Sequence, residues 1–377
     1  RVVVLRNSVY LNMKIESNYL LDVPAKNMSP GGYEWWYFDG EDNKGEYQFV
    51  VIFYEGCPFS PDYIKTVEKH PDHVNALPEM HPAISISVYK HGKTVFYAMS
   101  EYSKTEVEFN RDKISLRVGK NTLDGFIENE QLVYALRLEE TLPTGEKFSG
   151  ILRFVSPVSN KDLFKGLNNS NTSQHCWNLV QPKGRIKGVI SISQENRHEK
   201  PIIFEGTGYH DHNIGTEPLR NQFTDWYWGR AHFRDMTLVY YIMDQNEGKN
   251  YHAWLIGPDN QTIIDHTENI VLDGFSTNKF FLSSARRISI KFETRSIQVQ
   301  KEDVIDSGPF YLRFNSAVKI ISEQVDENEW VSGIGEYIKP SRIRKRLFWP
   351  LVRMRYRYTS KKPHWVQRSS FFYRWTL

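Results

Sequence analysis

Apolar and polar residues alternate with a period of two along most of this chain. The pattern runs through Tyr47–Tyr54, Ala83–Lys90, Thr94–Met99, Lys113–Val118, Leu132–Glu139 and Phe148–Val155, with Gly, Asn, Asp or Pro between the runs. It resumes in Ile186–Ser193, Pro201–Glu205, Asp225–Arg234, Thr237–Met243, His252–Ile256, Ile288–Phe292, Ser296–Gln300, Tyr311–Ile320 and Trp330–Ile338. Alternation puts successive side chains on opposite faces of a strand, and the turn residues give hairpin spacing. No long helical period recurs between strands, so a parallel sheet with crossover helices is excluded and an all-β antiparallel chain is expected.

The rhythm breaks once, in a polar Asn/Ser-rich stretch at about 158–173, where a domain boundary is expected. Each half carries about eight or more short strands, the number that closes an antiparallel barrel. The expected architecture is two antiparallel lipocalin-like β-barrels in tandem, at 30–172 and 173–340. An N-terminal extension at 1–29 precedes them and a basic, aromatic C-terminal segment at 341–377 follows. Ser60–Met80 is the main helical or irregular insertion, either a lid or a solvated loop. A ligand cavity is expected inside one barrel, near the seam between the halves.

With 40% apolar and 25% charged residues, a chain of 377 residues is globular, and no apolar run approaches the roughly 18 residues of a membrane helix. Cys57 and Cys176 are too few for a disulfide framework or a Cys-based zinc site, and a reducing, cytoplasmic location is expected. Charge is segregated. Lys339–Leu377 holds 12 Lys and Arg and no Asp or Glu, which leaves the rest of the chain near −9. Nine aromatics are interleaved there, from Phe348 to Trp375. Such a segment suits a peripheral position on an anionic membrane surface. The alternative is that 341–377 packs on the second barrel with its basic residues solvated. No nucleic-acid fold accompanies the charge, so no nucleic-acid partner is expected.

Two clusters stand out. Gly31–Gly40 (GGYEWWYFDG) packs five aromatics and two acids into ten positions. Alternation gives Tyr33, Trp35, Tyr37 and Asp39 one face and Glu34, Trp36 and Phe38 the other, so the strand is buried on both sides, as core or as ligand lining. Glu205–Phe233 holds Tyr209, Asp211 and Asn213 on one face of a strand and His210 and His212 on the other, and then Trp226, Trp228 and Arg230. His175 and Trp177 pair in the same way just upstream. His210 and His212 have the i, i+2 spacing of metal ligands, but no third ligand stands at a diagnostic distance and no metal is expected. No nucleophile elbow, phosphate loop or dinucleotide fingerprint is present. What remains is an acid among aromatics. Asp211, beside Tyr209, His175 and Trp177, is placed to protonate an alkene, and Trp and Tyr faces stabilise the resulting cation where water is scarce. The competing reading is a turn aspartate that satisfies backbone amides near Gly215.

These residues resemble the carotenoid 1,2-hydratase family. Its marks are E-W-W-Y-F-D, H-x-W, G-x-G-Y-x-D-x-N-x-G-x-x-P-L and W-x-W-x-R, which stand here at Glu34–Asp39, His175–Trp177, Gly206–Leu219 and Trp226–Arg230, in the family's order. The resemblance spans roughly residues 30–340. It implies tandem lipocalin-type barrels and cofactor-independent hydration of the terminal alkene of an acyclic, carotenoid-like substrate. Asp211 is then the proton donor, His175 positions or deprotonates the water, and Tyr209 and Trp177 orient the acid and shield the cation. Trp35, Trp36, Tyr37, Asn213, Trp226, Trp228 and Arg230 would line the substrate. The superfamily also holds fungal lipocalin-type Diels–Alderases and binding proteins, so a cyclase or pericyclase and a non-catalytic lipid or pigment carrier stand as alternatives. The histidines flanking Asp211 depart from the family pattern and, if cationic, would favour its ionised form.

Overall fold

The computed structural model describes all residues except 1, 7–12, 27, 160–161, 165–173, 195–196, 199, 246–247, 261, 294, 323–329 and 344. Much of the expected break at 158–173 and most of residues 1–12 lie outside the described residues. Two curled antiparallel sheets form two lipocalin-like barrels, and their contacts separate into two compact units.

The first unit comprises residues 13–165, 172–219 and 346–377. Its main strands are β1 (Tyr33–Asp42), β2 (Tyr47–Glu55), β3 (Ala83–Lys90), β4 (Lys93–Glu101), β5 (Val107–Phe109), β6 (Ser115–Val118), β7 (Asn121–Glu128), β8 (Gln131–Thr141), β9 (Lys147–Pro157), β10 (His175–Gln194) and β11 (Ile202–Gly215). Their order across the sheet is β4-β3-β2-β1-β11-β10-β9-β8-β7-β6-β5. The sheet curls until β4 meets β8, where Ser100 Oγ donates to Glu140 Oε2 at 3.2 Å and Asn121 Nδ2 donates to Glu140 Oε1 at 2.8 Å. One face of the sheet supplies Trp36, Phe38, Phe49, Phe53, Phe148 and Phe154 to a packed interior. Ser60–Met80 forms α1 (Pro61–Lys69), capped by Ser60, followed by two short 3-10 turns.

The second unit is built on Arg220–Lys345. Its strands are β12 (Phe223–His232), β13 (Thr237–Gln245), β14 (Gly248–Ile256), β15 (Ile263–Asp273), β16 (Arg287–Phe292), β17 (Arg295–Ser307), β18 (Tyr311–Ser322) and β19 (Trp330–Ile338). They run β15-β14-β13-β12-β19-β18-β17-β16, and a β15–β16 pairing closes the ring. Eight strands leave an interior that side chains can fill, and here Tyr240, Leu255, Ile270, Phe292, Phe314 and Tyr337 fill it.

Several expected boundaries differ from this arrangement. The chain leaves the first sheet after Gly215 and not at 172, because β10 and β11 complete the sheet begun by β1 and β2. The polar stretch is therefore a connection between two strands of one sheet. Residues 1–29 do not form a separate extension. Val3–Arg6 pairs with β15, and Lys14–Glu16 runs parallel to β10. From Arg346 on, the C-terminal segment packs on the first unit, where Arg357–Tyr358 pairs with β4 and Tyr373 joins the packed interior.

Candidate active site

Register builds the site. β11 pairs with β1 on one side, matching Asp211 to Tyr37, Asn213 to Trp35 and Gly215 to Tyr33. On its other side β10 matches Trp177 to Asn213 and His175 to Gly215. Side chains that share a face therefore stand in a strip across three strands. Gly215 lets the strip close up, because a Cβ there would lie 2.1 Å from Tyr33 Cζ, and the Tyr33 ring covers bare backbone.

Asp211 is buried, and donors converge on its carboxyl group. Tyr209 Oη donates to Oδ2 at 2.7 Å, Trp177 Nε1 to the same oxygen at 2.9 Å, and Asn213 Nδ2 to Oδ1 at 2.9 Å. These bonds fix the carboxyl group and stabilise the carboxylate left when its proton has gone. Aromatic rings surround the strip. Tyr33 stacks on Trp35 at 5.2 Å between centroids, Tyr37 meets Tyr209 edge-on at 6.1 Å, and Phe164 stacks on Trp177 at 6.3 Å.

His175 completes the group. Its Nδ1 is 2.8 Å from Tyr33 Oη. Burial pushes its pKa down to about 3, against a hydrogen bond with Asn213 that raises it, so the ring is neutral at physiological pH and accepts a proton only from a strong acid such as a protonated alcohol. Trp177→Phe keeps the aromatic volume and removes one donor from Asp211. The expected loss is about ten- to a hundredfold in kcat, with the unfolding midpoint little changed; steady-state kinetics and a denaturant titration check both.

The opposite face of β11 does different work. His212 Nε2 lies 2.9 Å from Glu34 Oε1 and its Nδ1 3.2 Å from Asp22 Oδ1, while His210 Nε2 lies 3.0 Å from Asp22 Oδ2. Tyr134 Oη also donates to Asp22. Burial opposes a charge on His212, but its hydrogen bonds to Asp22 and Glu34 prevail and hold its pKa up at about 9. The imidazoles next to Asp211 in sequence are thus matched by buried carboxylates on the far side of the strand. Among the described residues no group of three or more His, Cys, Asp or Glu is arranged to hold a metal ion.

The structure brings together Asp211, Tyr209, His175, Trp177, Asn213, Trp35 and Tyr37 from the sequence expectation. It adds Tyr33, whose place on the Trp35 face was the available signal. Trp36 belongs elsewhere: it faces the packed interior, stacked on His212 at 4.5 Å with its Nε1 donating to the Asp22 carbonyl. Trp226, Trp228 and Arg230 are buried residues of β12 in the second unit. The expected cavity inside a barrel is also corrected for this group. The strip is on the face of β1 and β11 turned away from the interior, which Trp36, Phe38 and their neighbours fill.

Residues 51–365 match the family model for the carotenoid hydratase CrtC. The chain is 28% identical over 352 residues to the hydroxyneurosporene dehydrogenase of Chlorobaculum tepidum, covering 89% of this chain and 90% of that one. It is 27% identical over 227 residues to the acyclic carotenoid 1,2-hydratase of Thiocapsa roseopersicina, covering 59% and 50%. Among solved structures, CghA with Sch210972 superposes with a TM-score of 0.58 over 90% of this chain and 98% of that one, and at 12% identity this shows a shared fold. With most of its length inside one family model, the chain belongs to the CrtC carotenoid hydratase family.

Proposed function

We propose that this hydro-lyase adds water to the terminal alkene of an apolar, carotenoid-like isoprenoid without a cofactor, and that Asp211 supplies the proton. The observation that carries the reading is the convergence of Tyr209, Trp177 and Asn213 on one buried carboxyl group among aromatic rings. The Asp211 proton bonds to the less substituted alkene carbon, and the other carbon becomes a tertiary cation. Ring electrons and the new carboxylate stabilise that cation. A water oxygen bonds to it and gives one proton to neutral His175. That proton passes to solvent and Asp211 takes one back, so alkene plus one water gives a tertiary alcohol. A substrate of this kind is collected from a lipid phase, and we infer that residues 341–377 make the contact with it.

Incubation with acyclic carotenes in oxygen-labelled water tests the reaction. The expected product carries one labelled hydroxyl group by mass spectrometry. An isomer without label would show that an internal alkene captures the cation, and an unchanged bound polyene would indicate a carrier.

A further inference from the structure

The C-terminal segment divides into a buried half and an exposed half. Tyr356, Val366, Gln367 and Tyr373 are buried and hold it down. Gln367 Nε2 donates to the Tyr356 carbonyl at 3.0 Å, and Arg374 Nη2 lies 2.9 Å from Glu146 Oε1. This platform presents rings to solvent. Trp365 is 61% exposed, Phe371 73%, Phe372 44% and Trp375 68%. They are contiguous: Trp365 and Phe372 lie 5.3 Å apart, Phe371 and Phe372 5.4 Å, and Trp375 is one turn beyond Phe371 in the helix Ser370–Trp375. Four large rings exposed together on a soluble surface mark an interaction site, because scattered apolar residues do not cluster in this way.

The charges around the rings identify the partner. Lys361 and Arg353 pair with Asp62, and Arg374 with Glu146. Lys362 and Arg368 are exposed and have no ion pair among the described residues. Residues 339–377 contain no acid. Trp and Phe beside unpaired cations fit the boundary of an anionic bilayer, where rings sit at headgroup depth and cations meet lipid phosphates.

We propose that Trp365, Phe371, Phe372 and Trp375, flanked by Lys362 and Arg368, form a face that docks this protein on an anionic phospholipid surface. The proposal rests on the reading of a water-insoluble substrate, and its test requires no turnover. Flotation with phosphatidylcholine vesicles, with and without phosphatidylserine, is compared for the full chain, a ring variant (W365S/F371S/F372S/W375S) and a charge variant (K362E/R368E).

The wild type is expected to float with the anionic vesicles and to be released as salt rises. The ring variant should bind at least about tenfold more weakly. The charge variant should lose at least about fivefold per residue altered, since each substitution removes a positive charge and adds a negative one, together with its preference for phosphatidylserine. Because the altered side chains are exposed, unchanged far-UV circular dichroism and melting show that the variants fold. Equal flotation of wild type and ring variant, or none by the wild type, would overturn the proposal. So would a wild-type dimer in sedimentation that the ring variant abolishes without any vesicle binding, since the face would then belong to a second copy. Turnover of detergent-solubilised substrate by the ring variant separates the docking face from the hydration chemistry, because either can fail alone.

Discussion

Asp211→Asn is expected to lower kcat for hydration by about 10²- to 10⁴-fold, the range of a lost general acid, while folding and ligand binding persist. The geometry explains why this substitution isolates the proton. Tyr209 Oη and Trp177 Nε1 both donate to Oδ2, so the new amide must keep its oxygen there. Its NH2 group then faces Asn213, which now donates to Oδ1. Asn213 can turn its own amide over and accept instead, so the three bonds to residue 211 survive in a variant that has no acidic proton, while the Asn213 contact with His175 exchanges donor and acceptor. Tryptophan-fluorescence titration with a carotene should report near wild-type affinity, and melting a near wild-type midpoint. Undiminished turnover would remove Asp211 from the chemistry and leave it a purely structural carboxylate.

Part of this strip is readable from alternation alone. Tyr209, Asp211 and Asn213 had to share a face once β11 was recognised as a strand, and the opposed position of His210 and His212 follows from the same rule. Trp36 was open to the same logic, since it alternates with Trp35 and Tyr37 and pairs across to His212. Its indole suits a ligand wall, but its place in the alternation puts it in the packed interior. Trp177, which bonds Asp211, and His175, which meets Tyr33 and Asn213, are different, because their place depends on register across β10, which shifts between Leu179 and Gln181 and again between Gln181 and Gly184. A bulge leaves little trace in a single sequence. Asp22 is more remote still. It lies 188 residues from the His210 it bonds, and no local pattern announces such a contact.

The boundaries were hidden for a related reason. A polar break between alternating runs is what both a domain linker and a long connection within one sheet look like, and hairpin spacing does not say which strand closes a barrel. Here β10 and β11 return to β1, and Val3–Arg6 pairs with β15. Strand number and period carry the fold class; pairing partners far apart in sequence carry the topology.

The buried histidines give the second large expectation, a pair of pH-dependent limbs of opposite sign, set beside those of other groups that burial shifts: His252, lowered to about 4, Glu55, raised to about 7, and Lys301, lowered to about 8. His212 has its pKa raised from 6.5 to about 9 by Asp22 and Glu34, against burial. Its contribution is full below 6.5 and is lost as pH rises through 9, because the folded protein then gives up a proton that the unfolded chain has already released. At 1.36 kcal/mol per pH unit, that limb is worth about 3 kcal/mol. His175 behaves in reverse. Burial lowers its pKa from 6.5 to about 3, so below 6.5 the unfolded chain takes up a proton that the folded ring refuses, and up to about 5 kcal/mol is lost on the way to pH 3. Asp22 adds to the acid limb, since its carboxyl group is held at about 2 by His210 and His212 despite burial, and its contribution drains away below 3.8. Urea titrations between pH 5 and 9.5 of the wild type and of a His212 variant isolate the His212 contribution as a difference. His212→Gln should remove the alkaline decline and lower stability at pH 6 by about 3–5 kcal/mol, because Asp22 and Glu34 remain buried without their cation. The acid limb, to which buried His175 and His252 both contribute, should survive in that variant. An alkaline decline that persists after His212→Gln would mean that another group titrates there, and that the buried pair on the far side of β11 is not what holds the strand beneath Asp211.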